Sequence, residues 1–142
     1  MSDVDDATQQ WLQTFIAAHD GVAGTVHRYD RDGDVLRLSA AVNIPPPVRA
    51  VTQTIPKGKG MAGLAWSRRA PVQTCNLAED TTGDVRPGAK AVDARGAVAM
   101  PIYGPDDAVV AVVGIAYMDE RVLDEPALAE LAAAAARLPG LD

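Results

Sequence analysis

The stretch Ala108–Met118 constrains this chain more than any other. It is apolar at almost every position and rich in valine. Side chains of a strand alternate between faces, so such a stretch needs cover on both sides of its sheet. It is also the longest apolar run in the chain, and too short to cross a bilayer. A central strand between two layers is therefore expected. At 142 residues the chain has the length of one domain, 1–142.

The other elements fit around that strand. Trp11, Leu12, Phe15 and Ile16 share one face of an expected helix over Ala7–His19, after a frayed 1–6. Asp5 or Asp6 would cap it, and Gly21 would take the left-handed position at its end. Val22–Tyr29 and Asp34–Val42 flank Asp32-Gly33, a hairpin signal. Leu36, Leu38, Ala40 and Val42 alternate as one face of the second strand. After the Pro45-Pro46-Pro47 break come a short turn of helix at Val48–Thr52, a short strand at Thr54–Ile55, a helix over Met61–Arg68 and a strand over Pro71–Cys75. Asn76–Asp93 is polar and reads as a long loop. Arg95–Tyr103 pairs with Ala108–Met118 across Gly104–Asp107, a turn-forming set. The closing helix runs over Glu125–Leu138, with Pro126 in its first turn and Asp124 as its cap. Sequential strands joined by short turns imply an antiparallel sheet and an α+β domain.

Composition excludes several functions. The net charge of −6 argues against a nucleic-acid binder. No basic-then-apolar leader opens the sequence, and a soluble cytoplasmic protein without membrane contact is expected. One cysteine, Cys75, and two histidines, His19 and His27, cannot complete a zinc site without carboxylates or a partner chain, so neither metal nor cofactor is expected. Ser2, Ser39 and Ser67 lack the surroundings of an activated nucleophile. Asp30, Asp32 and Asp34 have the spacing of calcium-loop acids, but Ala41 stands where that loop needs its glutamate. Cys75 reads as a small hydrophobe in a strand.

Gly58, Gly60 and Gly63 match GxGxxG. A dinucleotide site would need a long parallel strand before the glycines, which Thr54–Ile55 does not supply. The glycines read instead as a sharp strand-to-helix turn. Lys57 and Lys59 beside free helix amides leave a weak anion site as an alternative.

Ile55–Leu77, reading IPKGKGMAGLAWSRRAPVQTCNL, resembles the core signature of GAF domains. In that family an IPxGxGxxG turn opens a helix, a strand follows, and later strands carry V-x-V-P and V-V-G-V patterns. Here Ala94–Ile102 with Pro101, and Val112-Val113-Gly114-Ile115, correspond to these. The resemblance covers nearly the whole chain. It implies a central antiparallel sheet of five or six strands with helices on both faces, and a pocket between the sheet and the Met61–Arg68 helix.

Family branches differ in chemistry, and the residues discriminate among them. Free methionine-R-sulfoxide reductases resemble this chain in size and turn, but depend on cysteines. The corresponding positions here are Ala62, Thr52 or a neighbour, and Val92, and an acidic position aligns with Ala97. A sulfenic acid–disulfide cycle has no thiols to run on there. The N-K-F-D-E set of cyclic-nucleotide-binding members is absent, and Cys75 sits too early for covalent bilin attachment. The resemblance thus implies a non-enzymatic sensory or regulatory module that binds an unknown small molecule non-covalently and acts on a signalling partner in trans. Its pocket would be lined by Met61, Trp66, Cys75, Leu77, Val92, Val98 and Met100. Alternatives are a homodimerisation or interaction module with a degenerate pocket, since the alanine-rich closing helix is apolar nearly all round, and a thiol-dependent redox enzyme built on Cys75.

Overall fold

A computed structural model describes residues 3–74 and 95–139. The order is α1 (Asp3–Ala18), β1 (Ala23–Asp30), β2 (Val35–Val42), α2 (Pro46–Val51), β3 (Thr54–Ile55), α3 (Gly60–Arg68), β4 (Val72–Thr74), β5 (Ala97–Tyr103), β6 (Val109–Ala116) and α4 (Glu125–Ala135). The strands form one six-stranded sheet in the order β3-β2-β1-β6-β5-β4, with every pairing antiparallel. The chain's two halves each supply three adjacent strands, joined at the β1–β6 pair. The apolar stretch Ala108–Met118 contains β6, paired on both edges and buried at most positions. This is the α+β sheet with helices on both faces that the sequence implies.

One face carries α1 and α4. Leu12, Phe15 and Ile16 of α1 and Leu131 and Ala135 of α4 pack on Val98, Met100, Ile102, Val113 and Ile115 of the sheet. Asp124 caps α4 by accepting from Ala127 N at 3.0 Å, as expected. The opposite face carries α3, whose Ala65 and Trp66 pack with Leu36, Ile55, Val72 and Val112.

Local details depart from the sequence reading for identifiable reasons. Helix α1 begins at Asp3, so Asp5 and Asp6 lie inside it rather than at its cap. Asp20, not Gly21, takes the left-handed turn (φ 64°), which aspartate tolerates. Gly21 is needed for another reason: a Cβ there would sit 2.6 Å from Ile115 Cγ1. The regular alternation expected across Leu36, Leu38, Ala40 and Val42 is broken by a bulge, because Val26 pairs with Ala40 while His27 pairs with Leu38. The extra residue, Ser39, switches sides. Leu36 consequently enters the α3-side core and Ala40 the terminal-helix core.

Side chains finish the sheet margins. Beyond the two-residue β3, the Gln9 amide pairs with both backbone groups of Ala41, donating to its oxygen at 2.7 Å and accepting from its nitrogen at 3.1 Å. On β4, Gln73 makes the same reciprocal pair with Leu123, at 3.1 and 2.9 Å. Gln9 thus satisfies strand groups of β2 that would otherwise invite another chain, while Gln73 fastens the segment before α4 to β4. Pro101 is tolerated inside the sheet because β4 ends at Val72, opposite Ala99, so the residue lacking an N–H faces no β4 partner.

Candidate functional site

The glycine turn comes first, because it positions α3. Gly58 and Gly60 have φ of +83° and +67°, a region costly for residues with a Cβ. At Gly63 a Cβ would lie 2.6 Å from the Pro56 carbonyl oxygen, and Gly58 N donates to Gly63 O at 2.9 Å. All three glycines of the GxGxxG pattern are therefore spent on folding the chain back on itself. The preceding strand is a two-residue antiparallel strand, so the dinucleotide geometry is missing.

Behind that turn lies a cavity of about 140 Å³. Its floor is the sheet. Strand alternation sends Ala97 and Ala99 of β5, Gly114 and Ala116 of β6, and Thr25 and His27 of β1 toward it. Most of these side chains are small. The alternate positions of β5 and β6 are Val98, Met100, Val113 and Ile115, and these fill the terminal-helix core. The cavity exists because the sheet puts its bulk on one face and its alanines and glycine on the other. Its roof comes from Val48 and Thr52 around α2, from Ile44, and from Lys59, Met61 and Ala62 at the start of α3.

His27 is the polar anomaly in this setting. Its side chain is buried, with 2% of the residue exposed. Nε2 lies 2.8 Å from the Thr52 carbonyl oxygen. A carbonyl can only accept, so Nε2 carries the proton and Nδ1 is left with a lone pair. That buried Nδ1 has no hydrogen-bond partner among the described residues. Burial lowers the His27 pKa to about 4, opposed by the Thr52 contact, so the ring is neutral at neutral pH. The Nε2 bond ties β1 to the end of α2 and holds that part of the roof in place.

The pocket positions expected from sequence divide three ways. Met61 lines the cavity. Val98 borders it, but its side chain belongs to the terminal-helix core. Met100, two residues on along β5, points the same way as Val98 and is buried in that core, so it does not reach the cavity. Trp66 also lies outside it. Its ring packs edge-on to Tyr29 at 5.6 Å, with Lys57 Nζ 5.5 Å from its centroid, beside a more polar cleft at the far end of α3. Cys75, Leu77 and Val92 lie outside the described residues. The sequence reading missed His27, Thr25, Ala97, Ala99 and Gly114. For Ala97, Ala99 and Gly114 the signal was present: small residues at alternate positions of otherwise bulky strands. Among the described residues no group of three or more His, Cys, Asp or Glu side chains is placed to hold a metal.

Comparison with known proteins decides the family. The profile of the GAF domain family matches residues 1–138. The chain belongs to the GAF domain family. The fold agrees. The GAF domain of an Acinetobacter phosphoenolpyruvate-protein phosphotransferase superposes with a TM-score of 0.77 at 16% identity, covering 99% of this chain and 82% of that one. The corresponding GAF domain from Coxiella burnetii gives 0.74 at 17% identity, covering 97% and 79%. A free methionine-R-sulfoxide reductase from Neisseria meningitidis, solved with its substrate, gives 0.73 at 19% identity, covering 95% and 77%. At these identities the likeness is one of fold. A search of curated proteins returns no significant match. No helix among the described residues is long and apolar enough to cross a membrane.

Proposed function

We propose that this GAF domain is a non-enzymatic regulatory module that binds a small molecule non-covalently in the cavity between the sheet and α2–α3, and acts on a partner protein in trans. The observation that carries the proposal is the one-sided distribution of side-chain bulk in β5 and β6, which leaves a formed, largely apolar cavity with a few polar side chains, Thr25, His27 and Thr52 among them, in its wall. Formed apolar pockets with a few polar groups are the usual form of a ligand site. The non-enzymatic part draws on the same wall. Ala62 and Ala97, and Thr52 or a neighbour, stand at positions where the resemblance puts the thiols or the acid of the reductase branch; Thr52, Ala62 and Ala97 border the cavity and offer a hydroxyl and two methyl groups. No sulfur at these positions can form a sulfenic acid.

A route from cavity to surface supports regulation. Next to His27 on β1, Arg28 faces the terminal helices. It donates to Thr8 Oγ1 of α1 at 2.8 Å and to the Pro139 carbonyl at 2.5 Å. A shift of β1 on ligand binding would reach both chain ends through this one side chain. The test is a thermal-shift panel of small neutral organic molecules against the parent protein and Ala97→Leu, which fills the cavity. Stabilisation of the parent alone is the expected outcome; equal stabilisation of both places binding elsewhere and rejects the proposal.

A second reading, pairing of two copies through the terminal helices, draws on the exposed outer side of α4, where Ala129, Ala133 and Ala136 lie. Leu131 cannot report on it, being 3% exposed in the chain's own core. Sedimentation of the full chain and of Ala133→Arg checks it: a dimer that the arginine dissociates is the expected result, and a monomeric parent rejects it.

A further inference from the structure

Four polar side chains belong to the cavity wall among the described residues: Thr25, His27, Thr52 and Lys59. Two of them spend their hydrogens on the roof's own backbone. His27 donates from Nε2 to the Thr52 carbonyl, and Thr52 Oγ1 donates to the Val48 carbonyl at 2.8 Å. Lys59 is exposed. Thr25 differs from all three. It is half-buried, and its hydroxyl has no hydrogen-bond partner among the described residues. Its oxygen is open to small molecules, whereas His27 Nδ1 is sealed.

Gly114, the partner of Thr25 across the β1–β6 pair, shows where that hydroxyl lies. Val113 and Ile115, on either side of Gly114, point into the terminal-helix core, so the bare Cα of Gly114 faces the cavity side. A Cβ built there would lie 3.2 Å from Thr25 Oγ1 and 3.9 Å from the Val98 carbonyl oxygen. Beyond its chain neighbours it would meet no other described atom within 4 Å. Oγ1 thus leans over bare backbone on the cavity side, and a molecule resting on Gly114 has the hydroxyl beside it. The volume, about 140 Å³, is close to the ~150 Å³ at which an apolar cavity accommodates benzene.

We infer that the ligand is a compact neutral molecule with an apolar body and one hydrogen-bonding group, which it places on the Thr25 hydroxyl above Gly114. This rests on the cavity being the ligand site, and it names the class that site selects. A hydroxyl both donates and accepts, so an alcohol, a phenol or a carbonyl compound can meet it. An ion fits poorly, because charge brought into an apolar wall needs a partner. Lys59 and the first amides of α3 are the alternative attraction for an anion.

Three probes of similar size separate these cases in calorimetry at pH 7: phenol, toluene and benzoate. The quantity read is the affinity ratio of phenol to toluene, which a general change in packing or stability does not move. In Thr25→Val, where a methyl replaces the hydroxyl, that ratio is expected to fall at least about fivefold. In Thr25→Ser, which keeps the hydroxyl, it is expected to stay within about twofold of the parent. Benzoate is expected to bind weakest of the three. A ratio unchanged in Thr25→Val, or lowered equally in Thr25→Ser, overturns the role of the hydroxyl and leaves the cavity reading intact. Binding of toluene without binding of phenol does the same. Benzoate as the tightest probe overturns the neutral class in favour of Lys59 and the α3 amides. Binding by none of the three rejects both this inference and the cavity reading beneath it.

Discussion

The two faces of the sheet are built from the same strands to opposite specifications. Toward α1 and α4, β5 and β6 present Val98, Met100, Ile102, Val113 and Ile115, packed on Leu12, Phe15, Ile16 and Leu131. Toward α2 and α3, the alternating residues of those strands include Ala97, Ala99, Gly114 and Ala116, and space remains. Protein interiors are normally packed close to crystal density, so space left on one face of a well-packed sheet is informative. One face holds the domain together. The other gives up packing to keep a cavity with a histidine in its wall.

The largest expected effect lies on the packed face. Leu12 is fully buried there, and Leu12→Ala should cost about 2–5 kcal/mol in chemical denaturation, through lost burial and the void left behind. A cost near zero would mean that the terminal helices do not carry the stability.

The next effect belongs to the cavity face and depends on pH. The folded pKa of His27 is about 4, below its ordinary 6.5, because burial disfavours the charged ring. Between those values the unfolded chain takes up a proton that the folded chain refuses. The contribution is therefore complete above pH 6.5, is lost as pH falls toward 4, and levels off below. Its full size is about 3 kcal/mol. Urea denaturation from pH 7 to pH 4 should show this loss in the parent and not in His27→Phe.

Returning to the packed face, Asp124→Ala removes the α4 cap and should cost about 1 kcal/mol by the same measurement. The smallest effect on stability is expected from Ala97→Leu, which adds bulk to the cavity wall. Overpacking a filled core costs about 1–3 kcal/mol, so a cost below about 1 kcal/mol would show that the space is real. A larger penalty would mean that the cavity cannot accept added atoms, and would bring the two faces closer in kind.

Much of this contrast was legible in the sequence. Ala108–Met118 announced a central strand, and the glycines at 58, 60 and 63 announced the turn that opens α3. The family followed from the order of such features along the chain. The site was harder to see. Trp66 and Met100 drew attention as large side chains near the turn, yet a cavity is made where side chains are small. The bulge at Ser39 depends on pairing with β1, which no single strand encodes. The orphan Nδ1 of His27 depends on a carbonyl 25 residues away, so the isolated histidine carried no signal of it.

Methyl-resolved NMR of the protein, labelled at alanine and methionine and titrated with phenol, tests the central claim most directly. The two faces are read in one spectrum. The account predicts that Met61, Ala62, Ala97 and Ala99 shift, while Met100 and Ala135, on the packed face, stay still. Shifts concentrated at Met100 and Ala135, or no shift at all, would contradict it.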